Sequence, residues 1–81
     1  MTATMNGSSQ STTFYGKWVS EDIFVSYWIG SLVGIFKFNG ANTGTAYFIT
    51  DFDLFNATMD DITNAMNNSI ETHNFTFTGT K

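Results

Sequence analysis

The stretch IFVSYWIGSLVGIFKF, residues 23–38, decides how the rest of the chain is read. As a helix it would have Ser20 as N-cap, Glu21 and Asp22 in the first turn, Lys37 near the last, and Asn39-Gly40 as the stop. Gly30 and Gly34 would then form a small-xxx-small face. The residue types oppose this, because the stretch is dominated by β-branched and aromatic side chains, and each internal glycine costs a helix about 1 kcal/mol relative to alanine. A membrane span is excluded on length and polarity. Sixteen residues that include Ser26, Ser31 and Lys37 fall short of the roughly 20 apolar residues that cross a bilayer. The strand reading is preferred: Gly30-Ser31 forms a two-residue type II′ turn, and Ile23 to Ile29 pairs with Leu32 to Phe38.

Working outward, Thr12 to Val19 alternates with Phe14 and Trp18 on one face, Gly16 between them, and Thr13, Tyr15 and Lys17 on the other. Ser20, Glu21 and Asp22 interrupt this strand. On the other side, Asn39 to Gly44 reads as a loop and Thr45 to Asp51 as a further strand. A helix follows, with Met59, Ile62, Met66 and Ile70 on one face and Thr63, Asn64, Asn67 and Asn68 on the other. Thr58 is its expected N-cap, with Asp61 completing a capping box and Asp60 beside it at the positive end of the dipole. His73 to Thr80 alternates Phe75 and Phe77 with threonines and is expected as the last strand. The predicted fold is α+β: a small antiparallel meander of four to five strands, one amphipathic helix packed on it, and an extended polar arm over residues 1–11. Residues 12–81 form the single domain.

The 81 residues include no cysteine and one histidine, His73, so disulfides and His/Cys zinc sites are out of reach. Three lysines and no arginine against seven carboxylates leave a net charge of -4, without a basic surface for nucleic acid. Charged residues make up 12% against the roughly 25% of an ordinary domain, whereas aromatics reach 17%. Polarity therefore rests on Thr, Asn, Ser and Gly, which hydrogen-bond without repelling a second copy of the chain. Residues 1–13 lack the basic start and apolar core of an export signal, so synthesis in the cytoplasm is expected. The Asn-x-Ser/Thr triplets at Asn6, Asn56, Asn67 and Asn74 are read as products of composition.

Chemistry has few candidates. Asp51 and Asp53 share one side of an extended segment, but a calcium loop fails because Phe55, Asn56 and Ile62 stand where a ligand, a glycine and a bidentate glutamate are needed. They are read as solvated aspartates, and His73 as a residue held by the dipole at the end of the helix. No serine has the surroundings of a nucleophile, and neither Gly40 nor Gly44 opens a P-loop. No enzyme activity, cofactor or metal is expected.

The aromatics carry the functional reading. Ile23, Val25, Tyr27 and Ile29 line one face of the hairpin, and Phe24 and Trp28 the other. One helix covers one face; the second needs the arm, another subunit or a stacked ligand. Trp18, Phe24, Tyr27 and Trp28 are the candidate subunit-interface or ligand-stacking residues. Strands without proline also invite pairing with another chain. The expectation is a structural subunit that packs with copies of itself or other subunits into a large particle, a phage capsid-decorating or tail protein being one example. The alternative is a small carbohydrate-binding or adhesion module using exposed aromatics.

Overall fold

The computed structural model describes residues 1–5, 10–27, 32–52 and 56–79. Its strands are β1 (Thr2–Met5), β2 (Thr12–Thr13), β3 (Gly16–Trp18), β4 (Ile23–Tyr27), β5 (Leu32–Phe38), β6 (Thr43–Thr50) and β7 (Glu71–Phe77), with one helix, α1 (Met59–Asn67), between β6 and β7. The strands form one seven-stranded sheet in the order β2-β1-β7-β6-β5-β4-β3, with every pairing antiparallel. An antiparallel sheet with one helix is the expected class. The strand number is larger than the four to five predicted, and the N-terminal segment differs most. Thr2–Met5 pairs with β7 on one side and β2 on the other, and Ala3 is fully buried, so this part of the expected arm is a strand of the sheet.

The β4–β5 hairpin is present, with Phe24 opposite Phe36 and Val25 opposite Ile35. Its register differs from the prediction. A two-residue turn at Gly30-Ser31 would set Tyr27 opposite Gly34, whereas Tyr27 stands opposite Val33. The turn lies outside the described residues. The physical reason is visible in the paired residues, because cross-strand partners share a face. The observed register puts Phe24 with Phe36 on one face and Val25 with Ile35 on the other, whereas the shifted one would put Phe24 opposite Lys37 and Val25 opposite Phe36, turning one strand's set to the wrong side.

The sheet has two apolar faces, and each is covered from within the chain. On the outer face α1 lays Ile62 and Ala65 over Ile23, Val25, Val33 and Ile35. On the inner face Phe14, Phe24, Phe36, Phe38, Phe48, Phe75 and Phe77 pack together with Ala3 and Ala46. Phe36 is the centre, with ring centroids 4.8 Å from Phe14 and 5.2 Å from Phe75. Trp18 on β3 lies 6.3 Å from Phe77 on β7, although β6, β5 and β4 stand between them in the sheet. In a flat sheet those strands would be roughly 19 Å apart, so the sheet is curled into a barrel-like shape.

The curl brings the two edges together. Only Phe14 and Tyr15 separate β2, at one edge, from β3, at the other. Phe14 N donates to Met1 O at 2.6 Å, and the Met1 ammonium returns a bond to Phe14 O at 2.9 Å. One residue later the partner changes, and Tyr27 N donates to Tyr15 O at 3.3 Å. At this bend the backbones approach so closely that a Cβ on Gly16 would collide with the carbonyl oxygen of Val25. Phe75 likewise lies across Gly44, where a Cβ would come within 2.8 Å of its ring. The second apolar face therefore needs no outside cover.

Candidate functional site

With both apolar faces closed, the surface of interest is the outer face away from α1. Thr2 and Thr4 alternate with inward Ala3, Thr43 and Thr45 with inward Gly44 and Ala46, and Thr76 lies between inward Phe75 and Phe77. The registers align them into rows. Thr4 stands opposite Thr76, which stands opposite Thr43; Thr2 stands opposite Thr13, and Thr45 opposite Asn74. Neighbouring hydroxyls bond to one another: Thr2 Oγ1 with Thr13 Oγ1 at 3.3 Å, Thr4 Oγ1 with Ser11 Oγ at 3.2 Å, and Ser11 Oγ with Thr78 Oγ1 at 3.3 Å. Thr45 Oγ1 donates to Asn74 Oδ1 at 3.4 Å. These rows contain no charged side chain; Lys37, opposite Thr45, stands at their border.

At the bend, Tyr15 and Tyr27 extend this face. Both phenols are exposed, Tyr15 at 79% and Tyr27 at 44%. The backbone beneath them is fixed by Ser26, which is 1% exposed and donates its Oγ to Tyr15 O at 3.0 Å. That carbonyl thus receives two donors where the strand changes partner, and the buried hydroxyl is satisfied.

The candidate subunit-interface or ligand-stacking residues are distributed between the two faces. Tyr27 belongs to the outer pair. Trp18 caps the inner cluster, 5.2 Å from Phe24 and 5.6 Å from Phe38. Phe24 is 3% exposed and belongs to the core, because adjacent strand positions point to opposite faces. Trp28 lies outside the described residues. Tyr15 and the threonine rows were missed, although repeated Thr-x-Thr at Thr2, Thr43 and Thr76 was a signal of one exposed strand face.

Asp51 ends β6 with a left-handed backbone, φ 59°, and Asp53 lies outside the described residues. Among the described residues no group of three or more His, Cys, Asp or Glu side chains converges to hold a metal. His73 is not at the helix end as expected. It lies inside β7, opposite Ala46, with Nε2 3.1 Å from Glu71 Oε1 and its ring 5.8 Å from Phe48. No helix of the described residues is long and apolar enough to cross a membrane.

The fold and site define a small α+β domain whose curled antiparallel sheet presents an uncharged hydroxyl face. Comparison with known family models, curated proteins and solved structures returns no match to this chain.

Proposed function

We propose that the chain is a non-enzymatic structural subunit that packs, through its threonine face, against copies of itself in a larger assembly, a virion particle being one example. The observation that carries this reading is the set of cross-strand threonine pairs, Thr2 with Thr13 and Thr4 with Thr76 and Thr43, which hold no charged side chain among them and are bordered by Lys37 beside Thr45 and by Lys17 beyond Tyr15. Close packing of identical subunits brings identical charges together. Hydroxyl rows avoid that repulsion and supply donors and acceptors on both partners. Exposed tyrosines add broad contact area at low entropic cost, the role aromatics take at the centre of interfaces.

Both apolar faces of the sheet are covered within the chain, and Thr2–Met5 pairs with β7, so neither serves as the docking surface. Sedimentation of the purified chain over a range of concentrations tests the proposal. Association is expected, and Thr76→Lys or Tyr15→Lys should abolish it with the circular dichroism unchanged. A concentration-independent monomer overturns it.

A further inference from the structure

Between the end of β6 and α1 the outer surface opens into a cleft of about 380 Å³. Its lining combines apolar side chains, among them Ile49, Phe52 and Ala65, of which Phe52 is half-buried and Ala65 buried, with the polar Asp51, Asp61 and Asn64. The volume lies in the range of small-molecule sites, and an apolar lining with a few polar groups is their usual construction.

The wall chemistry selects the ligand class. Two carboxylates and no basic side chain among the lining residues exclude an anion. Asp61, one of the lining residues, uses Oδ2 to accept from Thr58 N at 3.0 Å, which fixes the carboxylate and leaves Oδ1 as a further acceptor. Asn68 donates Nδ2 to Asn64 O at 2.8 Å, which turns that amide so that its Oδ1 serves as an acceptor. Asn64 contributes both an amide donor and an acceptor, and the Thr50 hydroxyl does the same. An ammonium group, which only donates, would match the carboxylates and make no use of the exposed Asn64 N–H groups. Hydroxyl groups donate and accept together, and the C–H face of a sugar ring can lie against Phe52.

We propose that this cleft is a binding site for a neutral polyhydroxylated ligand, a single sugar ring. The site is separate from the threonine rows of Thr43 and Thr45, which occupy the opposite end of β6, so its success or failure is read independently of assembly. It is also separate from Tyr15 and Tyr27, where sugar stacking on exposed aromatics would otherwise be sought.

The test is a titration of the full ¹⁵N-labelled chain with glucose, galactose, mannose and N-acetylglucosamine in turn, at millimolar concentrations, followed by amide resonances. At least one sugar should give saturable shifts centred on Asp51, Asn64 and Asn68. Asn64→Ala and Asp51→Gly should each weaken it about fivefold to tenfold, the loss of one or two hydrogen bonds. Asp51→Gly is informative because glycine accepts the left-handed backbone at that position, so lost binding is not lost folding. Absence of cleft shifts with all four sugars overturns the proposal, as do shifts centred on Tyr15 and Tyr27. Saturation of the same resonances by calcium or putrescine at lower concentration than any of the sugars overturns it as well.

Discussion

Gly16 is the residue on which the closure of the sheet turns. Its backbone lies against Val25 and Ser26, and a Cβ there would stand 2.8 Å from Ser26 Cα. Gly16→Ala must push β3 away from β4, loosening the contacts of Trp18 with Phe24 and Phe38. Overpacking of this kind costs typically about 1–3 kcal/mol, and urea denaturation should show a loss at the upper end. An unchanged midpoint would mean that the strands do not approach so closely. At this scale much was legible: alternation set Phe14 and Tyr15 on opposite faces, and the glycine between Phe14 and Trp18 stood out. Phe24, a candidate interface residue in the sequence, lies in the core at 3% exposure. One-face alternation cannot reveal that a sheet will curl over its second apolar face.

Among the elements, α1 shows how local chemistry is read directly from sequence. Thr58 Oγ1 accepts from Asp61 N at 3.2 Å while Asp61 Oδ2 accepts from Thr58 N at 3.0 Å, the reciprocal box expected from the spacing. Thr58→Ala should cost about 1 kcal/mol, measured as a lowered thermal midpoint, with no change in sheet content. The far end of the helix was less legible. Ile70 is 67% exposed and its N–H donates to Phe48 O, so it enters the sheet side of the chain where its spacing had suggested a fourth helical turn. His73 moved with it from helix end to strand interior. The β4–β5 register was hidden for a different reason. Turn chemistry at Gly30-Ser31 and side-chain matching along the strands disagree by one residue, and the matching at Phe24–Phe36 and Val25–Ile35 prevails.

For the whole molecule, the least legible feature is the first strand. Residues 2–5 carry a period of two but little apolar weight, and their partner is at the other end of the chain, with Ala3 opposite Phe77. No local pattern encodes that pairing. Once formed, it joins β2 to β7 and holds Met1 and Met5 against the aromatic cluster. Deleting residues 1–5 should therefore unfold the domain or strip most of its stability, because it exposes Phe75 and Phe77 and breaks the bonds between Met1 and Phe14. Hydrogen exchange of the truncated chain should show lost protection across β7. Protection equal to the full chain would contradict the closed sheet.

In the proposed assembly, a chain that covers both of its own apolar faces meets its partners through its threonine rows. Methyl NMR of the full chain across the concentration range in which it associates tests this residue by residue. Shifts and broadening of the Thr2, Thr4, Thr43, Thr45 and Thr76 methyls are expected while the Ile62 and Ala65 methyls beneath α1 stay fixed. Association that perturbs the α1 side and leaves those threonines unmoved would contradict it.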